Sequence, residues 1–312
     1  MNSDIKIPVT IITGFLGAGK TTFINHLLKS NPQTRFALVE NEFGDVAIDT
    51  KLIKGVEASQ MFELKNGCIC CTISDEYEQA LVELAEKFSD VDHLLIETTG
   101  IADPAPVIRP FFSDENLKNI YQFNGTICLA DAKYFHRYPE KQIAVKQLAV
   151  ADAVVITKTE DFSQTQNEQF LNEIKQFNPL VGFFVSDFGR VRDFDLNNIR
   201  QKTLRFITLN NENHESLQVK TLRFNGLLNK LNFIDWLSYN LDLYKNHIYR
   251  VKGIICFEDE PYQYILQGVG GSFELKEGDK LADSVVSEIV IIGNLKTFEL
   301  DSFIQASQSK PE

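Results

Sequence analysis

A chain of 312 residues is long enough for two domains with separate cores, and 44% hydrophobic with 24% charged residues is the balance of an ordinary globular protein. A formal net charge of −12 argues against the basic face that a general nucleic-acid binder needs. No apolar stretch reaches transmembrane length, the N-terminus carries Asp4 and no leader-like pattern, and the expected location is cytoplasmic, with no membrane partner.

The first element is a strand-like apolar run over residues 7–13. It leads into Gly14-Phe-Leu-Gly17-Ala18-Gly19-Lys20-Thr21-Thr22, and a helix-like run follows over 21–28. Gly14-x-x-x-x-Gly19-Lys20-Thr21 is a complete phosphate-binding loop in the strand–loop–helix context that the motif requires. Glycines let backbone N–H groups converge on an anion, and the helix N-terminus adds positive potential. Lys20 can reach β- and γ-phosphates, and the Thr21 hydroxyl can ligate Mg²⁺. The candidate nucleotide contacts here are Gly14, Gly17, Ala18, Gly19, Lys20, Thr21 and Thr22.

A second strand is expected over 36–40. Glu40, Glu42 and Asp45 crowd into the segment that begins at its end. Next comes Asn66-Gly67-Cys68-Ile69-Cys70-Cys71-Thr72. In a reducing compartment three cysteines in four positions read as metal or redox chemistry, not as a disulfide framework. Alternate thiols at 68 and 70 face one way in an extended segment, and a bend recruits Cys71. Three thiolates and one further ligand, with Glu40 and Glu42 as nearby acids, complete a tetrahedral site for Zn²⁺, or for Co²⁺ or Ni²⁺. A redox role and a buried apolar turn are the competing readings. Cys128 and Cys256 lie inside apolar runs and read as core. The five histidines are scattered singly. Only His214 is a candidate auxiliary ligand.

A helix over 76–88 precedes a strand over 93–97 that ends in Glu97, followed by Thr-Thr-Gly100. A carboxylate there can hold Mg²⁺, and the Gly100 N–H can sense a γ-phosphate. Strands over 125–130 and 153–157 come next. The latter ends in Thr157-Lys158-Thr159-Glu160, where guanine-reading proteins carry Asn-Lys-x-Asp. Thr157 stands for the Asn. The Lys158 stem packs on the base. Glu160 keeps the acceptor chemistry with one more methylene, which softens guanine selectivity. A helix over 167–177 and a strand over 181–185 complete an α/β pattern: a mostly parallel sheet with helices on both faces and its ligands at the carboxyl ends of strands.

Residues 210–216 turn polar (NNENHES) and read as a linker. Beyond it a strand over 219–224, a helix over 230–241, strands over 249–258, 262–268 and 288–293, and a final helix from Thr297 make a smaller α+β module. Asp259-Glu260-Pro261 supplies a hairpin turn. The expected organisation is a nucleotide domain over 1–208, a linker over 209–216 and a second domain over 217–312.

These residues resemble the CobW-type metallochaperone GTPases, which share a class with the urease and hydrogenase nickel-insertion GTPases. The resemblance rests on GFLGAGKTT (14–22), ENEFGDVAID (40–49), NGCICCT (66–72), IETTGIADPAPV (96–107), TKTED (157–161) and, for the small C-terminal domain, RVKGIICFEDEPYQYILQGVGGSF (250–273). It implies GTP binding and slow hydrolysis, with Lys20 and Glu97 as catalytic residues. It implies Mg²⁺ on Thr21 and Glu97, a base reader at Lys158 and Glu160, and a divalent metal carried by Cys68, Cys70 and Cys71 to a client metalloprotein. Three departures stand out: Asp45 where the family often has Glu, Glu160 in the base reader, and no histidine-rich tract. Two other readings compete: a GTP-switched metal-sensing or assembly module without net delivery, and a P-loop kinase or ATPase with an incidental cysteine turn. The oligomeric state is left open, a homo-oligomer included.

Overall fold

The computed structural model describes residues 6–40, 61–63, 74–88, 90–138, 141–199, 217–281 and 285–295. The chain divides into two compact units between Ile207 and Thr208.

In the first unit β1 (Ile7–Gly14), β2 (Phe36–Glu40), β3 (Met61–Glu63), β4 (His93–Glu97), β5 (Tyr121–Asp131), β6 (Ala153–Thr157), β7 (Gly182–Asp187) and β8 (Arg190–Val191) form one sheet. Its order is β3-β2-β4-β1-β5-β6-β7-β8, parallel throughout except for the antiparallel β7–β8 hairpin. Consecutive residues of the inner strands, such as Ile11 and Ile12 or Leu94 and Leu95, are 0% exposed. Alternate side chains point to opposite faces, so both faces are covered, and continuous apolar runs are what such strands require. β1 lies between β4 and β5, and sheets of this kind bind ligands beyond the carboxyl ends of their strands.

The helices are α1 (Lys20–Ser30), α2 (Ser74–Lys87), α3 (Ala105–Ile108), α4 (Pro110–Ser113), α5 (Glu115–Ile120), α6 (Lys141–Val150) and α7 (Gln164–Phe177). Phe23, Ile24 and Leu27 of α1 pack into a core with Ile12, Leu95, Ile127 and Val155. α7 starts three residues before the expected 167 because Ser163 and Gln166 form a reciprocal capping box. Pro104 and Pro110 break the segment after β4 into short helices. β5 begins at Tyr121, four residues ahead of the expected start, with Tyr121 and Phe123 buried and Gln122 exposed.

The second unit holds β9 (Gln218–Asn225), α8 (Lys230–Leu243), β10 (Ile248–Cys256), β11 (Tyr262–Val269), β12 (Ser272–Lys280) and β13 (Val286–Gly293). These strands form an antiparallel sheet in the order β12-β11-β10-β13-β9. Phe233, Trp236, Leu237 and Leu241 of α8 pack on Leu222, Val251, Leu266 and Ile289. β10 and β11 pair antiparallel across the Asp259-Glu260-Pro261 turn, in which Asp259 takes a φ of 61°. Cys128 and Cys256 are buried free thiols. The segment 209–216 and the helix expected from Thr297 lie outside the described residues.

Candidate functional site

The loop after β1 is shaped by glycines at positive φ. Gly14 has a φ of 142°, and a Cβ there would stand 2.5 Å from the Leu129 carbonyl oxygen. Gly19 has a φ of 95° and caps α1. Gly17, at 74°, faces open space. Ala18 is fully buried, and its N–H donates to the Phe15 carbonyl at 3.1 Å. The loop thus delivers Lys20 to the first position of α1, with Thr21 partly buried and Thr22 exposed behind it.

Lys20 is the electrostatic centre of this arrangement. Its ammonium is buried and donates to the Gly14 carbonyl at 3.0 Å. Burial pushes its pKa down, while the charges of Glu97 and Cys128 oppose that shift. Cys128 itself is pushed up to about 12 by burial, so it stays a neutral thiol, and Glu97 is the anion that matters here. A desolvated cation at a helix N-terminus favours an anion beside it.

Glu97 ends β4. It stands in register with Ile12 of β1 on one side and with Glu40 of β2 on the other, and Glu40 is in turn in register with Glu63 of β3. After it, Thr98 donates to the Thr13 hydroxyl at 2.9 Å and its N–H to the Ile12 carbonyl at 2.9 Å, which pins the two strand ends together. Gly100 then packs directly on the phosphate loop. A Cβ at Gly100 would lie 2.5 Å from the Leu16 nitrogen. A hydroxyl at Thr21 and a carboxylate at Glu97 are hard oxygen donors, the set that suits Mg²⁺.

The loop after β6 reaches the same place. The Thr157 hydroxyl donates to the Ala18 carbonyl at 2.9 Å and lies 3.3 Å from the Ala130 carbonyl. Lys158 adopts a left-handed φ of 58°. Its ammonium pairs with Asp131 at 2.6 Å and lies 5.2 Å from the Tyr134 ring centroid. Asp131, nearly fully buried at the end of β5, also accepts from the Lys133 and Tyr134 N–H groups, each at 3.0 Å. Glu160 is exposed, and Asp161 pairs with Lys133 at 3.4 Å. Asp131 was not singled out from the sequence. The signal was an acid directly after the apolar run 125–130, the same pattern that marked Glu97.

The structure therefore brings Gly14, Ala18, Gly19, Lys20, Glu97, Gly100, Thr157 and Lys158 to one end of one sheet. Cys68, Cys70, Cys71, Glu42, Asp45 and His214 lie outside the described residues. Glu40 is placed by its backbone alone. Among the described residues no group of three His, Cys, Asp or Glu side chains is gathered to hold a metal ion, and no helix is long and apolar enough to cross a membrane.

Residues 8–185 match the CobW/HypB/UreG nucleotide-binding domain family, and residues 217–307 match the cobalamin synthesis protein cobW C-terminal domain. The chain is 34% identical over 285 residues to the zinc chaperone YjiA of Escherichia coli, covering 84% of this chain and 86% of that protein. It is 30% identical over 349 residues to the zinc chaperone CobW of Pseudomonas aeruginosa, covering 99% and 92%. It is 29% identical over 338 residues to the zinc-regulated GTPase metalloprotein activator 1 of Schizosaccharomyces pombe, covering 92% and 82%. Among solved structures, the Zn(II)-bound YjiA GTPase from E. coli superposes with a TM-score of 0.68 at 28% identity, covering 98% of this chain and all of the other.

Proposed function

Because this chain belongs to the CobW/HypB/UreG family of nucleotide-binding proteins, we propose that it is a GTPase that binds zinc at Cys68, Cys70 and Cys71 and couples GTP hydrolysis to delivery of that metal to a client metalloprotein. The relatives named as zinc chaperones support zinc over Co²⁺ or Ni²⁺. One arrangement carries the reading. β3, β2 and β4 are neighbours, with Glu63, Glu40 and Glu97 in one register row at their carboxyl ends. The acidic segment 41–45 leaves from the end of β2, and the cysteine segment follows β3 by five residues. The acidic segment thus follows the strand paired with β4, and the cysteine segment follows the next strand outward.

In this mechanism the glycine-shaped loop and Lys20 hold the β- and γ-phosphates, and Lys20 neutralises charge that develops on the transferred group. Thr21 and Glu97 would hold Mg²⁺, which supplies further charge neutralisation when bound. The Gly100 N–H donates to the γ-phosphate. Lys158, anchored by Asp131, packs its stem on the base, and Glu160 accepts from guanine. GTP orders the 40–45 acids against the thiolates, and loss of the γ-phosphate loosens the site and releases zinc. Residues 1–208 form the GTPase domain that carries the CxCC motif, 209–216 the linker, and 217–312 the second domain.

The test is the zinc dissociation constant of the full chain with no nucleotide, with GDP and with a non-hydrolysable GTP analogue. Positive coupling tightens zinc binding roughly 5- to 150-fold with the analogue, and by reciprocity zinc tightens the analogue equally. GDP, without the γ-phosphate, couples less. Three equal constants would remove the energy source for delivery. Zinc-tightened GTP binding without metal transfer to any apoprotein acceptor would favour a sensing or assembly module instead.

A further inference from the structure

The turn after β4 is held from behind. It closes tightly, with the Ala102 N–H donating to the Thr99 carbonyl at 3.2 Å. On one side Gly100 presses on the phosphate loop, where a Cβ would meet Leu16 N at 2.5 Å and Leu16 Cα at 2.7 Å. On the other side stands α6. Gln147 of that helix is 0% exposed, and its amide nitrogen donates to the carbonyls of both Gly100 and Ala102 at 3.2 Å. The preceding residue, Lys146, pairs with Asp103 at 2.8 Å. The other oxygen of Asp103 accepts from the Ala105 N–H at 3.0 Å, at the start of α3. Two adjacent residues of α6 therefore grip the segment 100–103.

Packing does not account for a glutamine here, since methionine fills a similar volume without a polar atom. The Gln147 side-chain oxygen is buried with no hydrogen-bond partner among the described residues, and the same holds for the Thr99 hydroxyl at the front of the turn. A buried polar group left half-satisfied is costly, and it is tolerated where its other half does a job.

We infer that Gln147 is a positioning residue for the γ-phosphate. It holds the Gly100–Ile101 peptide by its carbonyl, and so fixes the preceding peptide, whose N–H belongs to Gly100, against the phosphate loop before nucleotide arrives. The inference rests on Gly100 as the γ-phosphate donor. Gln147 itself acts only through that turn. A donor fixed in advance costs no reorganisation when the ligand binds or when charge develops on it. GDP does not use that donor, so its affinity is independent of the grip.

The experiment measures, on the full chain, the affinities for a non-hydrolysable GTP analogue and for GDP, together with kcat for GTP and Tm. Gln147→Met keeps the volume and removes both donations. The analogue should bind roughly tenfold more weakly and kcat should fall in step, with GDP affinity within about twofold of wild type. Gln147→Glu sets a carboxylate against two carbonyls and should do more. Equal losses for the analogue and GDP, or no loss for either, would overturn the assignment. If Gln147→Met does not fold, Lys146→Met cuts the partly exposed second tie. It should show the same selective loss, smaller in size, and an unselective one refutes the grip. A wild-type protein that binds the analogue and GDP equally would sink the γ-phosphate role of Gly100 itself. Discrimination in wild type that survives Gln147→Met sinks only Gln147.

Discussion

The Thr157 hydroxyl donates to the Ala18 carbonyl across 2.9 Å, between residues 139 apart in sequence, and it is buried. This bond joins the loop after β6, proposed to read the base, to the loop after β1, proposed to hold the phosphates. Thr157→Val keeps the shape and deletes the donor, leaving the Ala18 carbonyl short of a partner. We expect a stability loss of about 1–3 kcal/mol by denaturant titration. GTP and GDP affinities should fall together, because both nucleotides span the two loops. Unchanged stability and unchanged binding would show that the bond joins nothing of consequence.

Lys20→Ala removes the buried cation that donates to the Gly14 carbonyl. Fixed positive charge at the γ-phosphate contributes several kcal/mol to phosphoryl transfer, so GTP turnover should drop by on the order of a hundredfold or more. Steady-state phosphate release reads it. Turnover within about tenfold of wild type contradicts the role given to Lys20.

Much of this site was legible in the chain itself, and the reasons are local. The phosphate loop declares itself because Gly14, Gly19, Lys20 and Thr21 each answer a separate physical demand. β1, β4 and β6 read plainly because strands buried on both faces must be continuously apolar. Other elements left fainter traces. β3 and β8 are too short to carry a period. β12 is an edge strand rich in Lys and Glu, with Phe273 and Leu275 the side chains that pack on the core. Its charges suit an exposed edge and hide the strand, although Gly270-Gly271 ahead of it was an available hairpin signal. Asp131 and Gln147 act through partners 27 and up to 47 positions away, a relationship that composition and spacing do not encode.

Glu160 is exposed while Lys158 is anchored by Asp131, so the proposed base reader combines one fixed and one exposed side chain. We expect GTP to be preferred over ATP, but less sharply than by an Asn-Lys-x-Asp protein. Glu160→Asp should sharpen the preference and Glu160→Ala should erase most of it. Competition binding with both nucleotides measures the ratio. Equal affinity for GTP and ATP, unaltered by Glu160→Ala, rules this carboxylate out as the base reader.

His93 makes stability depend on pH. It is 2% exposed, and burial pushes its pKa down to about 4. Its Nε2 shares a 2.8 Å hydrogen bond with the Thr10 hydroxyl, which also accepts from Asn124 at 2.9 Å. The buried ring is neutral. The unfolded state, with a pKa near 6.5, binds the extra proton first as pH falls. The stabilisation is therefore complete above about pH 6.5 and is lost between about 6.5 and 4, amounting to about 3 kcal/mol. Unfolding free energies across that window should show the slope, and His93→Leu should flatten it. A profile identical in the variant would place the pH dependence elsewhere.

The cysteine motif is the part of the mechanism with the most direct spectroscopic reading. Cys70 is the central thiol of Cys68-Ile69-Cys70-Cys71, within reach of either neighbour when the segment bends, so its loss should be the most damaging of the three. Thiolates bind soft and borderline cations and must shed a proton to do so, so metal binding should release protons and strengthen as pH rises. Co²⁺ in place of zinc reports on the ligands, because thiolate coordination gives an intense near-ultraviolet charge-transfer band. We expect that band in the wild-type chain, strengthened by the GTP analogue. It should be absent after Cys70→Ser and weakened after Cys68→Ser or Cys71→Ser. GTP binding without metal should persist in all three, since Lys20 and the phosphate loop are intact. A triple Cys→Ser chain that keeps the band and the affinity would move the metal site away from this motif, and with it the link between strand ends and cargo.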